Sequence, residues 1–433
     1  MNMEKYWHSV TLEKDLCKGC TNCLKLCPTQ AIRVQGGKAK ILKERCIDCG
    51  ECIRVCPYHA KRAVTDDFSL LDNYKYKIAL TAPAFYGQFS LAEDVDVILT
   101  AITESGFDDV FEVAWGARII SEKTRELLAS GELLKPSISS ACPTVLRLIA
   151  VRFPNLVGNI IPLRSPMEVS AAEARKRAVE KTGLDPSDIG VFFISPCAAK
   201  ATAVRDLMTV NETAVSGVFS MKDLFLRIAK KVGKVSEPRH FDLAGREGIK
   251  WATSGGEGEA TGVKKYVAVD GIHNVIKVLS DIEDGKLNDV DFVEALACTG
   301  GCVGGPLTAE NNFVSRSRLH RICDKTPDNE NIRPIGDINC LWDEPVVYRP
   351  VMNLDDDIGR AMEKMSEIDR LYEKLPKLDC GSCGSPSCRA LAEDIVRGYA
   401  QENDCIFILK EKIKDLAREM VQLDDSIGRK QKS

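Results

Sequence analysis

Glu294-Ala295-Leu296-Ala297-Cys298-Thr299-Gly300-Gly301-Cys302, continued by Val303-Gly304-Gly305-Pro306, decides how the rest of the chain is read. The apolar run VDFVEALAC (290–298) predicts a buried strand, and it stops in a glycine-rich turn that holds two cysteines. Two more cysteines sit in small-residue turns of the same kind. They are Cys142 in Ser139-Ser140-Ala141-Cys142-Pro143 and Cys197 in Pro196-Cys197-Ala198-Ala199-Lys200. Small residues around all four let backbone approach a bulky inorganic group closely. Four thiolates suit one 4Fe–4S cube, with a structural zinc as the plainer alternative. Lys200, three residues past a ligand candidate, would set a cation beside an anionic cofactor; on its own it would read as a surface residue.

Outward from these turns the pattern alternates. KIALTAPAF (77–85), VGNIIPL (157–163) and DIGVFFISPC (188–197) read as largely buried strands. DVDVILTAITESG (94–106), GARIISEKTRELLASG (116–131) and PMEVSAAEARKRAVEKTG (166–183) read as the helices between them. Such alternation predicts an α/β domain with mostly parallel sheets, whose strand ends are where ligands gather.

Nearer the N-terminus Cys17, Cys20, Cys23, Cys27 and then Cys46, Cys49, Cys52, Cys56 repeat one spacing, C-x-x-C-x-x-C-x-x-x-C-P, closed by Pro28 and Pro57. In that doubled order three cysteines of one run share a cube with the last cysteine of the other. Cys17, Cys20, Cys23 and Cys56 are therefore expected to hold one 4Fe–4S cluster, and Cys46, Cys49, Cys52 and Cys27 a second. This stretch resembles the bacterial two-cluster ferredoxins, which implies an α+β electron relay over residues 1–68. His8 could approach the first cluster, but no spacing singles it out.

At 433 residues the chain is long enough for two or three domains. A net charge of −4 and the lack of a basic stripe argue against nucleic acid as a partner. No apolar run is long enough to span a membrane, and MNMEKYWHSV lacks the features of a signal peptide. The expectation is a cytoplasmic, anaerobic protein in which clustered cysteines mean metal and not disulfides. Cys323 and Cys340 stand outside every group and are expected to be buried free thiols.

The three middle segments resemble the hallmark segments of iron-only (FeFe) hydrogenases, over roughly 75–350. Arg164-Ser165-Pro166 and Ala82-Pro83-Ala84 match shorter stretches lining the same cavity. The resemblance implies that Cys142, Cys197, Cys298 and Cys302 hold a cube. It also implies that Cys302 bridges to a diiron subsite with carbonyls, cyanides and a bridging dithiolate. Lys200 would contact one cyanide, and backbone at Ala82 and Pro83 would face another. Ser165, Pro166 and Trp251 would stand near the cofactor, with the glycine-rich SGGEGEATG (254–262) pressing backbone against it; that loop lacks the strand and acidic residue of a nucleotide site.

The departures lie in proton handling. Active hydrogenases carry a cysteine before the first ligand, where this chain has Ala141, and a methyl group neither gives nor takes a proton. Other family positions are replaced by Ala203, Ile161, Leu296 and Ser195, the last being a candidate for a different proton route. Kept ligands with a lost relay resemble the sensory branch of the family. That implies slow, reversible H2 oxidation used to sense hydrogen or redox poise, through a ferredoxin-like carrier and a signalling kinase or phosphatase. A bulk ferredoxin-linked hydrogenase, or an electron-transfer or assembly protein without the diiron unit, remain the alternatives.

Cys380, Cys383, Cys388 and Cys405 form a fourth group, with a helix expected from about Arg389 to Gln401. The group resembles small 4Fe–4S domains appended to anaerobic redox proteins and is placed at 360–408. The tail, 409–433, steps Leu409, Ile413, Leu416, Met420, Leu423 and Ile427 along one helix face. Either a short packed helix or a coiled-coil stem joining two copies would produce this.

Overall fold

A computed structural model describes residues 7–90, 94–241, 245–327 and 338–430. Among them the chain divides into two compact units. One takes in the residues up to Thr11, Ile47–Gly50 and Arg62–Arg349; the other takes in Leu12–Cys46, Glu51–Lys61 and the residues from Pro350 on.

The larger unit is built on two parallel sheets. Ile189–Ser195 is buried at every position, as a central parallel strand covered on both faces should be. Tyr76–Thr81 pairs with it in register (Ile78 opposite Val191), Asp109–Glu112 lies beyond Tyr76–Thr81, and Gly217–Ser220 flanks the other side. The second sheet sets Phe292–Leu296 between Tyr266–Asp270 and Ser137–Ile138. The mostly parallel α/β architecture expected from the alternation is present. Helices follow the strands where their caps are encoded. Pro166–Thr182 starts on a proline, with Ser165 accepting from the Glu168 N–H, and ends at Gly183 in left-handed geometry (φ 67°). Helices Val95–Thr103 and Val113–Ser130 lie where periodicity put them.

The expectation for VGNIIPL is corrected. Pro154–Asn159 is a 3-10 turn, and Ile160 and Leu163 make only isolated bridges. Pro154 and Pro162 at either end remove ladder donors, so the apolar run cannot extend as a strand.

In the smaller unit, Ile32–Gln35 and Lys38–Ile41 form an antiparallel hairpin. The cysteine duplication is visible in local structure: Cys23 lies on the short helix Asn22–Lys25 and Cys52 on Glu51–Arg54. The thiols of Cys27 and Cys56 each accept the backbone N–H four residues on, at 3.2 and 3.3 Å. Helices Ile358–Lys374 and Cys388–Val396 pack through Ile368, Leu371, Leu391 and Ala392. The second begins one residue earlier and ends five residues sooner than expected, because Gly398 (φ 77°) stops it. The last helix, Ile406–Lys430, leaves Leu409, Ile413, Leu416, Met420 and Leu423 exposed. The side chain of Ile427 lies outside the described residues.

Candidate metal centre

The turns after three parallel strands meet. Ala82-Pro83 follows Tyr76–Thr81, Pro196-Cys197 follows Ile189–Ser195, and Ala297-Cys298 follows Phe292–Leu296. The short strand Ser137–Ile138 leads to Cys142, where Pro143 opens the helix Pro143–Arg152. All four thiols, with Ala82, Pro83, Ala141, Pro166, Lys200 and Trp251, line one cavity with about 870 Å³ of atom-free space. Its walls are mostly apolar, as those of cofactor sites are.

The donor set suits a metal cluster. Burial pushes the Cys302 thiol up to about 12; Lys200 opposes that rise, and Cys298 and Cys142 add to it. Cys197 is raised too, by burial and then by Cys298 and Cys142. Such a group of mutually repelling, desolvated thiols ionises together only around a shared cation. Lys200 Nζ lies 3.4 Å from the Ala141 carbonyl and 6.0 Å from the Phe193 ring centroid. One long contact and an aromatic face leave its other donors available to an anionic group.

Glycine spacing has a packing cause here. A methyl on Gly305 would meet the Pro196 carbonyl oxygen at 2.1 Å, and one on Gly301 (φ 94°) would meet the Ala252 oxygen at 2.8 Å. The Cys302 turn thus presses directly on the turn that presents Cys197, which brings the two ligands together.

Several expected site residues stand elsewhere. Ser195 is buried outside the cavity lining; its hydroxyl donates to the Cys197 carbonyl at 2.8 Å and accepts the Cys197 N–H at 3.1 Å. The hydroxyl is engaged within its own turn and does not face the cavity. Ser165 caps its helix and borders an adjoining space that also touches Ala141 and Lys200. Trp251 does line the cavity and donates its indole N–H to Ser121 at 3.0 Å. In SGGEGEATG the glycines do not reach the cavity. A methyl on Gly256 would strike the Lys250 carbonyl at 2.1 Å, and one on Gly258 the Tyr266 ring at 2.2 Å.

That loop delivers instead a residue the sequence reading passed over. Glu257 lines the cavity, 4% exposed, and both its oxygens accept from the Ser139 hydroxyl, at 2.8 and 2.7 Å. Glu294 lines it as well, accepting from the N–H groups of Gly255 and Gly258 at 2.9 and 2.8 Å. Burial raises both carboxyls well above the ordinary range, and for Glu257 the charge of Glu294 adds to the rise. The available signal was a lone carboxylate inside the apolar strand FVEAL and another between glycines.

In the smaller unit Cys17, Cys20 and Cys56 lie close enough to Cys23 to raise its thiol further, after burial, with Lys61 opposing. Lys61 is 3% exposed and its Nζ has no hydrogen-bond partner, an orphaned cation that an anionic cluster would satisfy. Cys383 has Cys405 and Cys380 beside it, and Cys388 and Cys405 are buried in the same apolar cluster. The described residues gather two of the three expected cube sites outside the cavity in this way. His8, in the larger unit, donates its Nδ1–H to the Asp48 carboxylate at 2.7 Å, in the turn between Cys46 and Cys49 of the second cysteine run. Cys323 and Cys340 are buried thiols, as expected.

Comparison with known proteins agrees with this geometry. Residues 75–262 and 225–306 match the profile of the iron-only hydrogenase large subunit, C-terminal domain. Residues 9–57 match a 4Fe–4S dicluster domain and 375–407 an Fe–S cluster family. Iron hydrogenase 1 of Clostridium pasteurianum is 25% identical over 285 residues, 53% of this chain and 50% of that protein. The match thus spans half the length of that relative. The periplasmic Fe hydrogenase large subunit of Nitratidesulfovibrio vulgaris is 27% identical over 364 residues, 69% of this chain and 86% of that protein. Among solved structures, a variant of the FeFe-hydrogenase HydA1 from Chlamydomonas reinhardtii superposes with a TM-score of 0.50 at 17% identity, covering 65% of this chain and 99% of that one. A subunit of the acetyl-CoA decarbonylase/synthase complex of Methanosarcina mazei is 36% identical over 53 residues, 12% of this chain and 11% of that subunit. No helix among the described residues is long and apolar enough to cross a membrane.

Proposed function

Because the chain belongs to the iron-only hydrogenase large-subunit family, we propose that it carries out slow, reversible H2 oxidation and proton reduction, and that this chemistry serves to sense hydrogen or redox poise. The observation behind this reading is the single cavity faced by four thiols, the Lys200 ammonium and the Ala82-Pro83 turn. Cys142, Cys197, Cys298 and Cys302 would hold a 4Fe–4S cube, and Cys302 would bridge to a diiron subsite with carbonyls, cyanides and a dithiolate. When bound, that group supplies an open iron position for hydrogen and a basic amine for the proton.

The chain's own residues do the rest. Lys200 would pair with an anionic ligand of the cofactor in a dry site, a charge-assisted contact. Apolar walls exclude water. The Ala141 methyl cannot relay a proton, which supports low turnover, since such relays contribute about 10²–10⁴-fold. Glu257, hydrogen-bonded to Ser139 and favoured in its neutral form by burial, can hold a proton at the cavity wall, with Glu294 as its neighbour. These two carboxyls are the better substitute route.

Residues 1–68 and 360–408 would carry three further cubes, making four, and would exchange electrons with a ferredoxin-like carrier in a cytoplasmic, anaerobic setting. The exposed apolar seam from Leu409 to Leu423 would pair two copies of the chain and pass a redox change to a signalling kinase or phosphatase. The test is H2-dependent viologen reduction by anaerobically matured protein beside a bulk hydrogenase matured in parallel. Measurable but far slower turnover is expected; rates equal to the bulk enzyme would refute the sensing role, and no turnover would refute the enzyme.

A further inference from the structure

The C-terminal cysteine group and the first N-terminal group lie within one compact unit, and their ligand loops touch. Gly381, next to Cys380, packs so closely on the short helix bearing Cys23 that a methyl there would lie 3.2 Å from Leu24 Cδ2 and 3.3 Å from Lys25 Cε. One loop further, the Val34 N–H donates to the Gly384 carbonyl at 2.9 Å. Gly384 (φ 84°) approaches so near that a methyl would sit 1.8 Å from the Val34 oxygen. The join is charged as well as close. Arg33 makes a two-pronged contact with Asp394 at 2.5 and 3.0 Å, Ser385 donates to Asp394 at 2.8 Å, and Arg45 meets Glu393 at 2.5 Å. Arg33, Arg45 and Asp394 are all buried, so these are not the weak pairs of a solvated surface.

The two cluster sites differ in their cations. Lys61 is buried without a hydrogen-bond partner and acts on both Cys17 and Cys23. Beside the C-terminal group the neighbouring cation is the exposed Lys25, whose Cε lies 3.3 Å from where a methyl on Gly381 would be. A desolvated cation favours the more negative, reduced state of a neighbouring cluster.

We propose that the C-terminal cube exchanges electrons directly with the cube of Cys17, Cys20, Cys23 and Cys56, and that the buried Lys61 ammonium makes the latter the electron's preferred resting place. In that step one cube is oxidised by one electron and the other reduced by one; no bond or proton moves. The proposal rests on the iron–sulfur part of the reading above and not on its hydrogen chemistry.

The test therefore uses the full chain loaded with 4Fe–4S clusters but without the diiron subsite, reduced stepwise with dithionite and followed by electron paramagnetic resonance. The signal lost in Cys380→Ser identifies the C-terminal cube, and in the wild type it is expected to be broadened by spin coupling. Cys20→Ser should abolish that broadening, whereas Cys49→Ser should leave it. Lys61→Gln, which keeps every ligand, should shift one midpoint potential to more negative values, and the shifted cluster should be the one coupled to the C-terminal cube. Broadening removed by Cys49→Ser and kept in Cys20→Ser, an uncoupled C-terminal signal, or unchanged potentials in Lys61→Gln would each overturn the proposal.

Discussion

Replacing Glu257 by glutamine asks whether the proton route has moved. Glutamine keeps the shape and can still accept from the Ser139 hydroxyl, but it cannot carry a proton between groups. If Glu257 relays protons in place of the residue lost at Ala141, turnover should fall by about 10²–10⁴-fold. That corresponds to roughly 2.7–5.4 kcal/mol on the barrier, at about 1.36 kcal/mol per tenfold. The same substitution has a signature in stability. Burial, and then Glu294, hold the Glu257 carboxyl well above the ordinary carboxylate range, so the native chain binds more protons than the unfolded chain. Stability must then decline as pH rises from the unfolded value near 4.3 toward the raised native one. Over the two pH decades from 5 to 7 one such group accounts for up to about 2.7 kcal/mol. Denaturant unfolding of the cluster-free protein should show that decline, and Glu257→Gln should remove about half of it, Glu294 keeping the rest. The assays are H2 uptake by the matured protein and unfolding midpoints at pH 5, 6 and 7. Unchanged turnover together with an unchanged pH slope would refute the reasoning.

Four further outcomes follow from the same geometry. Ala141→Cys places a thiol where the methyl lines the cavity and should raise H2 turnover at least tenfold; an unchanged rate would mean the missing relay is not what slows the protein. Gly305→Ala drives a methyl against the Pro196 oxygen, costing about 1–3 kcal/mol or more, and should lower iron content at the central cube as read by iron analysis. Lys200→Met removes the cation facing the cavity and should reduce uptake of the diiron subsite, read as carbonyl and cyanide infrared intensity, while leaving 4Fe–4S content intact. Leu416→Glu, on the exposed seam of the last helix, should convert a dimer to a monomer in sedimentation without altering H2 turnover; a wild-type monomer would dismiss the coiled-coil stem.

The site was legible wherever chemistry is written into local spacing. The cysteine turns, the strands VDFVEALAC and DIGVFFISPC, and Lys200 all follow from short patterns that long-range packing does not alter. VGNIIPL was misleading because its composition suits a strand while two prolines deny it a ladder. Ser195 looked available because it precedes a ligand, yet its hydroxyl is consumed within its own turn. Glu257 and Ser139 lie 118 positions apart and come together only in the fold, so no spacing announces them. The junction of Arg33 with Asp394 spans 361 positions, and nothing near either residue marks it as one half of a buried pair.

The central claim is that the four-cysteine cavity holds a hydrogen-reactive diiron site. Infrared spectroscopy of the anaerobically matured protein, in the carbonyl and cyanide stretching window, under argon and then under H2, tests it most directly. The account predicts bands in that window that shift when H2 replaces argon. A blank spectrum from protein with full iron–sulfur loading, while a competent hydrogenase matured alongside gives its bands, would contradict it.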